Sequence, residues 1–129
     1  MKYLKYKYEL NESVDYTYVS SLIENRDIDA IKEFIKNNDI NKEFAVYHGC
    51  YHYVILDAIY FNNYEVTKMF IDAGADINVS DCDGISALEY ACKVDNIEII
   101  KLLIDSGVND NENKYKEYLK SKKRKYFNL

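Results

Sequence analysis

A fixed internal period constrains this chain more than any other feature. The stretch from Gly74 to Gly107 reads GADINVSDCDGISALEYACKVDNIEIIKLLIDSG and can be laid over the residues before it. Ala58 then falls on Ala91, Glu65 on Glu98, Lys68 on Lys101, Ile71 on Ile104, Asp72 on Asp105 and Gly74 on Gly107, every pair 33 residues apart. Inside the unit, a turn signal at Asp83-Gly84 precedes a helix-like segment from Ser86 to Val94. A polar corner at Asp95-Asn96 follows, then a second helix from Ile97 to Ile104, stopped at Gly107. Two helices and a turn per period of about 33 residues describe a stacked array, in which each unit buries its apolar face against the next.

The pattern extends upstream. Asp15 is placed to cap a helix from Tyr16 to Glu24, because its carboxylate can accept a free backbone N–H. Arg26-Asp27 breaks that helix. A second, Ile28 to Asn37, carries Ile28, Ile31, Phe34 and Ile35 on one stripe. This pair aligns with the later units at an offset of 36, Lys32 on Lys68 and Ile35 on Ile71. The middle unit pairs helices at about Tyr53 to Phe61 and Glu65 to Ala73 around a corner at Asn62-Asn63. From Asn41 to Tyr53 is 12 steps, whereas from Asn78 to Ser86 is 8, so about four extra residues sit in KEFAVYHGCYH, residues 42–52. Such an insertion maps to a loop on one face of an array, often the binding face. At the start of the chain, Tyr6, Tyr8 and Leu10 alternate with polar residues as in an extended arm, and a helical phase also fits. At the end, Glu112 to Tyr126 reads as a helix with Tyr115, Tyr118, Leu119 and Tyr126 on one face. Both segments are expected to cover the open ends of the stack.

The runs Gly-Ala-Asp-Ile-Asn, Asp-Gly-Ile-Ser-Ala-Leu and Asn-Ile-Glu-Ile-Ile-Lys-Leu-Leu-Ile closely resemble the ankyrin-repeat family over about residues 15–109. The resemblance implies an all-α, ankyrin-like solenoid of about three helix-turn-helix repeats with short β-finger loops and helical or extended end caps. The expected division is an arm at 1–14, repeat one at 15–41, an inserted loop at 42–52, repeat two at 53–78, repeat three at 79–109 and a basic capping helix at 110–129. Departures are visible. The family opens its units with Thr-Pro-Leu-His; here Thr17-Tyr18-Val19-Ser20, Tyr53-Val54-Ile55-Leu56 and Ser86-Ala87-Leu88-Glu89 stand instead, without the Pro or the His. Arg26 and Asn38 occupy positions where the family favours glycine.

Composition narrows the function classes. Hydrophobic residues make up 48% and charged residues 30%, which suits a folded domain rather than a disordered one. The first ten residues are interrupted by Lys5, Lys7 and Glu9 and lack the apolar core of a signal peptide. The longest uncharged run, Phe44 to Leu56, is too short to span a membrane. Three cysteines, an odd and sparse count, argue against a disulfide framework and for a reducing, cytoplasmic setting. Residues 1–113 hold 10 Lys and Arg against 21 Asp and Glu, a net of −11, while residues 114–129 hold 7 against 1, a net of +6. An acidic body disfavours phosphate backbones and suits a basic protein partner. The bias toward Tyr, Ile, Lys and Asn fits an AT-rich coding genome, such as those of some large DNA viruses or microbes.

Four clusters invite chemistry. His48, Cys50 and His52 are three possible metal ligands, but a structural zinc site wants four, commonly in two separated pairs. A Cys50–His48 nucleophile pair lacks an orienting group and an oxyanion site. Asp72, Asp76, Asp81 and Asp83 fail the calcium-loop spacing, since the required Gly and Glu positions fall on Asp81 and Ala87. The run KSKKRK at 120–125 reads as an import signal, a nucleic-acid patch or a solvated helix end. No catalytic residue, cofactor, metal or small-molecule substrate is therefore expected, and no membrane.

The aromatics carry more. Tyr60 and Phe61 fall where the family usually keeps exposed polar residues, Tyr47, Tyr51 and Tyr53 lie just upstream, and Tyr90 takes the matching groove position of repeat three. Clustered exposed aromatics mark interaction surfaces. The expected function is a non-catalytic protein–protein interaction module. Its concave surface would use Tyr47, Tyr51, Tyr53, Tyr60, Phe61 and Tyr90 as anchors, with Asp81 and Asp83 steering a basic protein partner that is blocked or redirected, a host protein if the source is viral. The alternative is a nuclear or nucleic-acid-associated adaptor acting through the basic tail.

Overall fold

The computed structural model describes residues 16–45, 51–110 and 113–127. The proposed arm at 1–14 and the Asp15 cap lie outside them. The described elements are helices α1 (Tyr16–Glu24) and α2 (Ile28–Asn37), strands β1 (Phe44–Ala45) and β2 (Tyr51–His52), then helices α3 (Val54–Tyr60), α4 (Tyr64–Asp72), α5 (Ala87–Lys93), α6 (Ile97–Asp105) and α7 (Lys114–Phe127). Helices α1, α3, α5 and α7 stack in one layer, and α2, α4 and α6 stack beside them in a second. This is the all-α solenoid that the period requires.

The local chemistry repeats with the period. Each second-layer helix starts on a side-chain cap: Asp27 accepts from the Ala30 N–H, Asn63 from Val66 and Asn96 from Ile99. Caps of this kind contribute about 1 kcal/mol each. The corner residue before each cap takes a left-handed backbone, at φ 57° for Arg26, 58° for Asn62 and 60° for Asp95. That twist turns the chain sharply enough for the N–H groups of Asp27 and Asn63 to close on Leu22 and Ala58 carbonyls at 3.0 and 2.9 Å. Gly74 and Gly107 end α4 and α6 in the same conformation. Asn38 does not follow them. Its backbone is extended, and its side-chain amide donates to the Phe34 carbonyl at 3.0 Å, which caps α2 by another route.

Two ladders of asparagine tie unit to unit. Asn41 accepts from the Asp76 N–H at 2.7 Å and donates to the Gly74 carbonyl at 3.1 Å; Asn78 accepts from the Asn109 N–H at 2.9 Å. At the corners, the Asn96 amide donates to Asn62 Oδ1 at 2.7 Å, and Asp95 in turn accepts Tyr118 Oη–H of α7 at 2.8 Å and Lys122 Nζ at 2.6 Å. The first rung is missing. Asn63 is 3% exposed and its Nδ2 has no partner among the described residues, because the corresponding corner residue is Arg26, whose side chain donates but cannot accept.

The finger before repeat two is a two-stranded hairpin, with Phe44 opposite His52 and Ala45 opposite Tyr51. Phe44 is 3% exposed and packs against Phe34, so this side of the insertion belongs to the core rather than to a solvated loop. The finger before repeat three is tighter: a single bridge, Ser80 to Ser86, closes a turn in which Gly84 takes φ 78°. The core itself runs through both layers, from Val19, Ile23 and Ile31 to Ile99, Ile100 and Leu103.

The cysteines overturn one expectation. Cys82 is disulfide-bonded, and Cys92 is the free cysteine among the described residues. The Cys82 sulfur lies 3.3 Å from the Tyr51 carbonyl oxygen, a packing contact, since a disulfide sulfur carries no proton. Counting cysteines along the chain misses this because stacking sets consecutive fingers side by side. Cys50 lies outside the described residues.

Replacing Arg26 by Asn supplies a residue more tolerant of the left-handed turn and an acceptor for Asn63 Nδ2. Arg26→Asn is expected to raise the unfolding free energy by about 1 kcal/mol or more, read as a higher urea midpoint at unchanged slope.

Candidate functional site

The wall made by α3, α5 and the two fingers gathers most of the aromatics singled out above. Its floor is Asp57, in the first turn of α3 and 4% exposed. Asp57 Oδ1 accepts the Tyr16 hydroxyl at 3.0 Å from α1 and His52 Nε2–H at 2.9 Å from β2. The Tyr16 and His52 rings meet edge to face at 5.4 Å. Among the described residues, the buried Asp57 Oδ2 has no hydrogen-bond partner. A buried acceptor left unpaired costs roughly 1–3 kcal/mol, so this oxygen is a standing demand for a donor. Burial, followed by the Asp57 charge and its hydrogen bond, pushes the Tyr16 hydroxyl far above the ordinary phenol range.

One turn along α3, Tyr60 is 60% exposed. Its ring lies edge-on to Phe61 at 5.3 Å and to Tyr90 of α5 at 6.4 Å. The Tyr90 hydroxyl donates to Asp81 Oδ2 in the finger. Asp81 Oδ1 also accepts the Asp83 and Ile85 N–H groups, each at 2.9 Å. Burial alone would push the Asp81 carboxyl up, but the Tyr90 hydroxyl and the two backbone donors outweigh it and hold it below the usual range. Burial, the Asp81 hydrogen bond and the Asp81 charge drive Tyr90 far up in turn. Asp81 is thus part of the finger's frame, and Asp83 is its exposed carboxylate.

The structure distributes the remaining candidates unevenly. Tyr51 is 50% exposed on β2, beside Cys82. Tyr53 is half-buried, and its hydroxyl donates to Glu43 at 2.9 Å. Tyr47, His48 and Cys50 lie outside the described residues, so the metal and thiol readings of that cluster do too. Among the described residues, no three His, Cys, Asp or Glu side chains converge as metal ligands. Burial pushes the Cys92 thiol up to about 11, which makes it a poor nucleophile. Sequence reading missed Tyr16, His52 and Asp57 as one unit. The only available signal was an Asp inside an otherwise apolar run, VILDAI.

The basic tail is partly spent within the molecule. Lys122 pairs with Asp95 at 2.6 Å, and Lys114 Nζ lies 3.7 Å from Glu89. Of the KSKKRK run, the side chains after Lys122 lie outside those described. No described helix is long and apolar enough to cross a membrane.

A family model for ankyrin repeats in three copies matches residues 17–114. The chain belongs to the ankyrin-repeat family. Ankyrin repeats are generally protein–protein interaction modules. Among similar proteins, the ankyrin repeat protein FPV034 of fowlpox virus (strain NVSL) is 36% identical over 59 residues, covering 46% of this chain and 14% of that protein. Fowlpox virus FPV244 is 30% identical over 107 residues, 81% of this chain and 15% of that protein. The ankyrin repeat protein L371 of Acanthamoeba polyphaga mimivirus is 30% identical over 110 residues, 84% of this chain and 14% of that protein. The chain therefore spans about one seventh of the length of these relatives.

The Tyr90–Asp81 contact has a pH window. The Asp81 contribution is complete above its unfolded pKa of about 3.9 and is lost as pH falls through its lower folded value. The Tyr90 contribution is complete below about pH 10 and is lost as pH rises through its higher folded value. Asp81→Asn is expected to lower stability by about 1–2 kcal/mol at pH 7. In thermal melts at descending pH, the gap between wild type and variant should close below about pH 4.

Proposed function

We propose that this ankyrin-repeat chain is a non-catalytic docking module whose wall of α3, α5 and fingers binds a partner protein. The carrying observation is Tyr60: a large ring 60% exposed, flanked by Phe61 and Tyr90, on a scaffold whose other apolar side chains in α3 are nearly all enclosed. An aromatic held at such a position supplies contact area at low entropic cost, which is the character of interface hot spots. Tyr51 extends the patch toward the hairpin and Asp83 gives its edge negative charge. The acidic balance of residues 1–113 favours a basic partner surface and speeds its approach. The poxvirus and mimivirus relatives support a viral setting, in which the partner is a host protein that is blocked or redirected.

The test uses the whole chain as bait. The double variant Tyr51→Ala, Tyr60→Ala is expected to keep its far-ultraviolet circular dichroism and melting behaviour and to lose capture of host-cell proteins that wild type retains. Substitution of Tyr64, exposed at the start of α4 in the other layer, should leave capture intact. Capture that survives the double variant and fails with Tyr64→Ala would move the surface to the opposite layer.

A further inference from the structure

Resting on the docking reading, we infer that the same wall takes one cationic side chain, an arginine, from a basic segment of the partner protein. The argument starts at Asp57. Its carboxylate is 4% exposed, Oδ1 already receives two donors, and Oδ2 is buried with none. Among the described residues the basic side chain against it is His52, which forms an ion pair only when its imidazole is protonated. Two lysines of the C-terminal helix point elsewhere, Lys114 toward Glu89 and Lys122 toward Asp95. A positively charged N–H donor from outside meets both deficits at once, the unpaired oxygen and the charge.

The surroundings fit a guanidinium. Tyr60 stands three residues after Asp57 on α3, on the same side of the helix. Its ring forms a T with Tyr90, so their faces stand at 88° to each other. The exposed face of Tyr60 offers a cation an electron-rich surface. Asp81 and Asp83 add negative charge nearby: both act on the Tyr90 hydroxyl, as does Asp57. A guanidinium can donate to a carboxylate and stack on an aromatic face together, which an ammonium does less well. Tyr60 is 60% exposed and meets Phe61 and Tyr90 through ring contacts, so its side chain can turn toward a bound cation without disturbing α3.

The proposal is tested by titrating the isotopically labelled full chain with a short acetylated Gly-Ser-Arg-Ser-Gly amide, following amide nitrogen and proton shifts. Its twin carrying citrulline in place of arginine, and a third carrying lysine, are run alongside. Expected are saturable shifts confined to residues 57–61 and 81–90, with citrulline at least about tenfold weaker than arginine and lysine between them. Asp57→Asn and, as a variant that leaves the buried network untouched, Tyr60→Ala should each weaken the arginine peptide by about tenfold. Equal binding of the citrulline peptide, shifts spread over acidic residues of the other layer, or full affinity in Tyr60→Ala would each overturn the inference. Failure here with capture still dependent on Tyr51 and Tyr60 removes the arginine subsite and leaves the docking wall standing. Loss of that dependence with the peptide still bound does the reverse.

Discussion

Helix α3 has almost no solvent side, and the rest of the molecule is arranged around that fact. Val54, Ile55, Leu56, Ala58 and Ile59 are each 2% exposed or less. The helix is only seven residues long, too short to persist alone, so its stability comes from enclosure by α1, α4 and α5. Burying an Ile or Leu contributes about 1.5–3 kcal/mol, and α3 contributes several such residues in two turns. The same enclosure traps Asp57. A carboxylate in that position must be paired by its neighbours, and Tyr16 and His52 are recruited from the preceding helix and the hairpin to do so. Polar pairing on the wall is therefore a consequence of apolar packing behind it.

Stacking creates the demand for continuity, and the asparagine ladders answer it. A corner residue in a left-handed turn projects an acceptor, and the cap residue of the next unit supplies the donor, as between Asn62 and Asn96. The rung after repeat three passes to α7 through Asp95, which binds a tyrosine hydroxyl and a lysine in place of a further unit. The C-terminal helix thus ends the array with a chemistry borrowed from the repeat, and part of its positive charge is used in doing so. The rung before repeat two fails at Arg26, and the failure is visible as an orphaned amide on Asn63.

Helix positions were legible in the sequence to within a residue or two. The periodic signal is strong where Ala, Ile and Leu recur at the fixed offset, and the corners announce themselves as Asn62-Asn63 and Asp95-Asn96. The end of α2 was harder, because Asn38 caps by a side-chain bond instead of a left-handed glycine, a distinction that residue identity alone does not carry. The site was half legible. Tyr60 and Tyr90 could be placed on one wall because they occupy neighbouring inner helices. Their company could not: Tyr16, His52 and Asp57 are 36 and 5 residues apart in the chain and meet only through stacking. The disulfide state of Cys82 was hidden for the same reason, since finger-to-finger proximity is a product of the third dimension.

The tyrosines of the wall fall into two kinds, and the difference bears on how it would bind. Tyr16 and Tyr90 are pinned by carboxylates, their hydroxyls made so hard to ionise that they serve as fixed donors across the working pH range. Tyr60 is held by ring contacts with Phe61 and Tyr90 and is largely exposed. A partner meeting this surface encounters a platform already ordered, with the cost of fixing Tyr16 and Tyr90 met during folding, and one ring free to adjust. Preorganisation of most of a surface with adaptability confined to a single anchor keeps the entropic cost of association low while allowing a close fit. A helical array achieves this with short loops because the pins run between elements, α1 to α3 and finger to α5, rather than within one flexible segment.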